Sequence, residues 1–226
     1  MIQRMRSIVS SAIPISLLTM LLIGLPSSTF SQRADRNDLY RQLNRLPKTD
    51  TVFVNTLFKY GETFELNNND SAFYWYEKAF ALSKEQNYIN GLLRYRDYTS
   101  VLLVYLGNYD EAKLHIDTAL AISKKYNRKR FEAIEYNQYG TIWQYKNEMN
   151  QAANYYIKAF EAAHEMKDTV LMTAVAGNLS GVFLEIKRYE KAREFSELSY
   201  NLSIAKIGGT RLNSSHVVTS RMPSSA

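Results

Sequence analysis

Residues 109–127 read YDEAKLHIDTALAISKKYN and carry the pattern that decides the fold. Small residues lie at Ala112, Ala119 and Ser123, and bulky residues follow Ala112 at three, four and eight positions. Both sets fall on one face of a helix with about 3.6 residues per turn. The small positions let a neighbouring helix approach closely. The stretch therefore predicts an amphipathic helix, named a B helix here, that packs against a second helix.

The pattern recurs every 40 residues along the chain. Its first small position is occupied in turn by Ala72, Ala112, Ala152 and Ala192. Repetition on this scale is typical of solenoids, in which each helix pair buries its apolar face against its neighbours. The sequence thus predicts an all-α fold of helix–turn–helix units.

A second helix, named the A helix, precedes each B helix. Its small residue lies twelve positions before the alanine, at Ser100, Gly140 and Ser180. The first repeat fits only if one residue is deleted from its inter-helix turn, which gives Gly61 the same role. In the turns, Gly107 and Asn147 tolerate the left-handed conformation in which many helices end. We expect antiparallel A and B helices joined by short turns.

Residues 1–31 have the features of a secretory signal peptide. Arg4 and Arg6 precede an apolar stretch from Ile8 to Leu25, and a small polar run follows, so we expect cleavage after Ser31. An uncleaved membrane anchor is the alternative, because the apolar stretch is long for a signal peptide. Both interpretations predict an exported chain, either periplasmic or anchored facing the periplasm, unless the anchor has the reverse orientation.

Composition and charge exclude several classes of function. The formal net charge is +6, but residues 1–31 and 208–226 each hold two arginines and no acids, which leaves +2 for the middle. That balance does not favour a nucleic acid as partner. The chain has no cysteine, and neither His115 nor His164 has the sequence neighbours of a zinc site or a catalytic pair. We expect no catalytic residue, cofactor or metal here, and a packing role for His115.

The last residues differ from the repeats. Residues 208–226 read GGTRLNSSHVVTSRMPSSA, which has no apolar face. The blocks TRLNSSH and SRMPSSA resemble a translated sequencing-library adapter, so we interpret this tail as disordered and non-native. A natural serine-rich tail is the alternative. The adapter interpretation implies that the native protein continues beyond Lys206 into a segment absent from this sequence.

From about Asp50 to Lys206 the chain resembles the tetratricopeptide repeat family. The 40-residue step, the DTV at Asp50 and the stretch quoted above resemble the exported repeat region of bacterial sensor histidine kinases and related regulators. The resemblance implies a right-handed superhelical solenoid of four antiparallel helix pairs, with repeats of about 50–87, 88–127, 128–167 and 168–207. Residues 32–48, which contain the amphipathic stretch Asp35–Leu46 before Pro47, are expected to form a capping helix.

In this family the A helices line a groove, and the resemblance transfers that role to particular positions. The implied partner-binding residues are Asn55, Phe58, Glu62, Arg94, Asp97, Tyr98, Val101, Tyr105, Asn137, Thr141, Gln144, Tyr145, Asn178 and Gly181. Tyr76, Tyr139, Tyr156 and Tyr200 share the spacing of packing residues and are expected in the core.

The expected function is a non-catalytic module that binds a protein or peptide. The family resemblance suggests the extracytoplasmic input region of a truncated bacterial signalling protein, which would touch a membrane only through Ile8–Leu25 or a missing downstream span. A cytoplasmic transcriptional regulator, a free-standing scaffold and an enzyme with its catalytic domain beyond Lys206 are the alternatives.

Overall fold

The computed structural model describes the backbone of residues 28–208 and the side chains of residues 35–205. This part of the chain contains nine helices and no strand. They are α1 (Ser28–Leu43), α2 (Thr51–Glu62), α3 (Asn69–Glu85), α4 (Ile89–Tyr105), α5 (Tyr109–Lys125), α6 (Lys129–Tyr145), α7 (Met149–Glu165), α8 (Thr169–Glu185) and α9 (Tyr189–Gly208). Neighbouring helices pack in pairs, α2 on α3, α6 on α7 and α8 on α9. The predicted all-α fold of paired helices is confirmed.

The helices follow the predicted step along the chain. The B helices α3, α5, α7 and α9 begin at residues 69, 109, 149 and 189, and the A helices α4, α6 and α8 begin at residues 89, 129 and 169. Of the helices described between residues 28 and 208, none is both long and apolar enough to cross a membrane. Residues 1–27, with most of the expected signal peptide, and residues 209–226, with the tail, lie outside the described residues. Helix α1 already begins at Ser28 and runs through the expected cleavage position.

Six of the connections are three-residue turns of one geometry. Their central residues have positive φ, between 51° and 78°, and follow one another at a constant spacing at Asn87, Gly107, Asn127, Asn147, Lys167 and Lys187. After each, the next amide donates to a carbonyl five residues earlier at 2.7–2.9 Å, which closes the helix end. The turn roles of Gly107 and Asn147 are confirmed, whereas the sequence does not indicate the two lysines.

Contacts between glycines and tyrosines show the one-residue deletion in the first repeat. A Cβ atom on Gly140 would lie 2.4 Å from the ring of Tyr156, and one on Gly61 would lie 2.6 Å from the ring of Tyr76. The interval between the two glycines is one residue shorter than the interval between the two tyrosines, so Gly61 fills the A-helix role one residue late. Glycine is required at both places because the partner helix leaves no room for a side chain.

The described chain forms two compact units, residues 28–122 (unit 1) and 123–208 (unit 2). The core of unit 1 is built on Val54, Leu57, Phe58, Tyr76 and Leu102. The core of unit 2 is built on Tyr156, Val175, Leu179, Val182 and Phe183. The four alanines that begin the pattern, Ala72, Ala112, Ala152 and Ala192, are all buried. Burial of small residues lets the A and B backbones approach, as the spacing predicts.

Helix α1 lies in the stretch expected to cap the first repeat. The Arg36 side chain reaches across to Thr63, where Nε donates to Oγ1 at 3.0 Å, and its guanidinium lies 4.1 Å from the centroid of the Phe64 ring. Leu43 and Leu46 pack on the core of unit 1. These contacts join α1 to the end of α2.

The packing role expected for Tyr200 is wrong. Tyr200 is 65% exposed, although Phe160, which holds the same place in the preceding B helix, is buried. Phe160 is covered by Phe195 of the following B helix, with ring centroids 5.8 Å apart. Tyr200 has no such cover, because α9 is the last helix of the described residues.

Candidate binding surface

The structure groups the predicted groove residues within each unit. In unit 1 they lie on α2 and α4 and comprise Asn55, Phe58, Glu62, Arg94, Asp97, Tyr98, Val101 and Tyr105. In unit 2 they lie on α6 and α8 and comprise Asn137, Thr141, Gln144, Tyr145, Asn178 and Gly181. The two sets are described separately.

Tyr98 is the centre of the unit 1 surface. Its ring stacks on Phe58 with centroids 5.7 Å apart and on Tyr76 with centroids 5.1 Å apart. Its hydroxyl points to Glu62 and donates to Oε2 at 3.4 Å. Phe58 is completely buried beneath this stack, so its predicted role as a groove-lining residue is wrong. A large apolar ring at that position is more stable under Tyr98 than in water.

Glu65, which is not among the predicted groove residues, lies beside this stack. The Tyr76 hydroxyl donates to Glu65 Oε1 at 2.5 Å. Burial raises the pKa of Glu65 to about 7, the hydrogen bond from Tyr76 lowers it, and the charges of Glu62 and Asp97 raise it further. A half-buried carboxyl therefore shares one surface with two other acids.

The same acids also raise the pKa values of two tyrosines on this surface. Burial raises the pKa of Tyr98 well above its usual range, and the charges of Glu62 and Asp97 add to the effect, while Arg94 opposes it. Burial also raises the pKa of Tyr105, with a contribution from the charge of Glu65. The unit 1 surface is thus aromatic and acidic, with Arg94 offsetting part of the charge.

The edges of the unit 1 surface differ in exposure. Asn55 is half-buried, and its Nδ2 donates to the Tyr88 hydroxyl at 3.1 Å. Val101 is half-buried one turn beyond Tyr98, and Tyr105, the last residue of α4, is 55% exposed. On the α1 side of Glu62 a cleft of about 540 Å³ is lined by Asp35, Asp38, Leu39, Gln42, Lys59 and Thr63 as well.

The unit 2 surface is a network of uncharged polar groups. Asn178 Nδ2 donates to Asn137 Oδ1 at 2.9 Å, which joins α8 to α6. The Tyr156 hydroxyl donates to Gln144 Oε1 at 2.8 Å and lies 3.2 Å from Thr141 Oγ1. Four of the predicted groove residues in unit 2 are therefore held by hydrogen bonds, which the sequence did not predict.

Two further positions complete the unit 2 surface. Tyr145, the last residue of α6, is 42% exposed and holds the place in its helix that Tyr105 holds in α4. A Cβ on Gly181 would meet no atom within 4 Å, so the surface is open there. The repeat therefore presents a tyrosine at the same helix end in each unit.

The sequence gives no direct signal for Glu65. It lies in the connection between α2, which ends at Glu62, and α3, whereas the predicted groove residues all lie on A helices. The sequence also gives no sign that Glu135 of α6 is fully buried.

Within residues 35–205 no three His, Asp or Glu side chains are grouped so that they could hold a metal ion. His115 is buried with its ring centroid 5.8 Å from that of Tyr95, which is the packing role expected from its repeat position. Burial lowers the pKa of His115, and the charge of Arg96 lowers it further. A neutral imidazole fits this aromatic contact.

Comparison with known proteins supports the fold. No protein-family model matches the chain, and no curated protein matches it. Among solved structures, the chain is similar to the crystal structure of BtubC (BKLC) from P. vanneervenii, with a TM-score of 0.54 and 16% identity over 84% of this chain and 78% of that one. BtubC has a helical-repeat-like fold, and at this identity the similarity extends to the fold alone.

Proposed function

We propose that the chain is a non-catalytic interaction module built from tetratricopeptide repeats, which binds a protein or peptide on the exposed faces of its A helices. The observation that carries this proposal is an exposed tyrosine at the end of an A helix in each unit, Tyr105 in unit 1 and Tyr145 in unit 2. They end α4 and α6, lie one repeat apart, and are 55% and 42% exposed. Large aromatic side chains in this setting are the usual anchors of protein interfaces.

The paired helices support such a role because they hold the anchors rigidly. Buried Ala112 and Ala152, and Gly140 against Tyr156, leave little freedom between an A helix and its B helix. A partner that binds a rigid surface does not have to order it first, which favours affinity. Mechanistically, the repeats present side chains and carry out no covalent step.

A peptide-display selection tests the proposal. Random peptides are selected on the wild-type chain, and the affinities of the enriched peptides are measured by titration. We expect the double variant Tyr105→Ala and Tyr145→Ala to bind at least about tenfold more weakly, because aromatic anchors dominate binding energy. The matched control is Tyr74→Ala, which removes a tyrosine that is 57% exposed on the B helix α3. Equal affinity of the double variant and wild type, with unchanged circular dichroism, would contradict the proposal.

We further propose that the module is exported as the input region of a signalling protein. The support is the sequence of residues 1–31 and the family resemblance of the repeats. A reporter fused after Lys206 tests the location, since activity in the periplasmic fraction is expected. Activity confined to the cytoplasm would contradict export and leave the binding proposal intact.

A further inference from the structure

We infer that the partner of the unit 1 surface is a basic peptide segment, with a lysine or arginine side chain that lies over Tyr98 between the carboxylates of Glu62, Glu65 and Asp97. The inference rests on the proposed function and adds the chemistry of the partner.

The aromatic part of the surface can accept a cation. Tyr98 belongs to a stack with Phe58 and Tyr76, and Tyr105 lies two helical turns later on the same side of α4. Aromatic rings attract guanidinium and ammonium groups, and arginine also stacks on them through its planar head. The aliphatic stems of basic side chains cover apolar surface such as Val101 while their charges stay near water.

Two acids of this surface, Glu62 and Glu65, have no cationic partner among the described side chains. Among the described side chains, neither Glu62 nor Glu65 forms a salt bridge, and the only hydrogen bonds from side chains to them come from Tyr98 and Tyr76. Asp97 adds a third carboxyl and Arg94 offsets one negative charge, while Glu65, with its pKa raised to about 7, is fully ionised only above that pH. A basic segment complements this field, whereas an acidic segment is repelled.

The cleft beyond Glu62 is of mixed charge. Asp35 and Asp38 line it together with Lys59, and Asp38 Oδ1 pairs with Arg41 Nη2 at 3.1 Å. We therefore expect the basic side chain at the Tyr98 surface and not in the cleft. The two helical turns from Tyr98 to Tyr105 give the surface an extent that favours a peptide segment over a single small cation.

Fluorescence anisotropy at low salt and pH 8, where Glu65 is ionised, tests the inference on the full chain. The probe is a labelled basic peptide made of two copies of the sequence Gly-Ser-Lys-Gly-Ser-Arg, and its counterpart has glutamine in place of each lysine and arginine. We expect the basic peptide to bind at least about tenfold more tightly than the glutamine peptide. The triple variant E62Q/E65Q/D97N is expected to lose at least about tenfold in affinity for the basic peptide.

The control variant removes the same amount of charge elsewhere. E190Q/E194Q/E197Q changes three exposed acids on α9, in unit 2, and is expected to bind the basic peptide within about twofold of wild type. Equal binding of the two peptides, or equal losses in the two variants, would overturn the inference. If the display selection yields neutral or acidic peptides that depend on Tyr105, the proposed function stands and the basic partner does not.

Discussion

Replacing Glu65 with glutamine tests the electrostatics of unit 1 through the stability of the fold. Burial and the charges of Glu62 and Asp97 raise the pKa of Glu65 from 4.5 to about 7, against the opposing bond from Tyr76. The folded carboxyl thus keeps its proton at a pH where the unfolded one has lost it. The stability of the fold therefore falls as the pH rises from about 4.5 to about 7, and the loss is complete above that range. Glutamine retains an oxygen for the Tyr76 hydroxyl and cannot ionise.

The size of the effect follows from the raised pKa. A change from 4.5 to about 7 corresponds to about 3 kcal/mol in the free energy of unfolding. Glu65 keeps some exposure to solvent, which reduces the expected effect to about 1–3 kcal/mol. We expect E65Q to match wild type within about 0.5 kcal/mol at pH 4 and to be about 1–3 kcal/mol more stable at pH 8. With a urea slope of about 2 kcal/mol per molar, the midpoint at pH 8 rises by about 0.5–1.5 M.

Urea titrations followed by circular dichroism between pH 3 and pH 8 provide the measurement. The matched control is Glu85→Gln, which changes an exposed carboxyl at the end of α3 and is expected to stay within about 0.5 kcal/mol of wild type throughout. A difference between E65Q and wild type that is the same at both ends of the range would refute the reasoning. So would a less stable E65Q at pH 8.

Three further predictions concern the turns and helix contacts, and the same titrations measure all of them. Lys187→Gly should add about 0.5–1 kcal/mol of stability because glycine accepts the φ of 60° without strain, whereas Lys187→Ala, which keeps the strain, should not. Gly140→Ala should remove about 1–3 kcal/mol because its Cβ would meet the Tyr156 ring, whereas Gly181→Ala, in open space, should be neutral or stabilising. Burial by itself raises the pKa of Asp168, but the hydrogen bonds from the Leu171 amide and from Arg130, with the charge of Arg130, outweigh burial. The pKa of the folded carboxyl is therefore below its usual value. Asp168→Asn should therefore cost about 0.5–1 kcal/mol at pH 7, after solvent screening, and less as the pH falls below about 4. A cost that is the same at pH 7 and pH 3 would count against this assignment.

The fold could be predicted because small residues mark where backbones approach. Ala72 and Ala152 are buried where the repeat places them, and Gly61 contacts Tyr76 as the one-residue deletion requires. Each of these positions must be small, since a larger side chain would separate the two helices. This requirement can be seen at a single position of the sequence. The constant step between the alanines then sets the order of the helices along the whole array.

The binding surface could be predicted only in part. The family resemblance assigned Phe58 and Tyr98 to the same groove, but it could not show that the second ring would cover the first. Glu65 escaped notice because its environment comes from three helices at once, with Tyr76 on α3 and Asp97 on α4. The strained turn at Lys187 likewise has no sequence signal, because lysine rarely adopts positive φ.

The six equal turns make the chain divisible at fixed places. Because Asn127 and Lys167 hold the same position in matching turns, excision of residues 128–167 would join Asn127 to Asp168. That junction would again have asparagine in the left-handed conformation, followed by the aspartate that caps α8. Loss or duplication of one whole repeat would thus preserve the backbone of each junction. An insertion of one or two residues within a helix would instead rotate its buried side away from the core. Gene rearrangement can therefore change the number of repeats without requiring a new turn sequence.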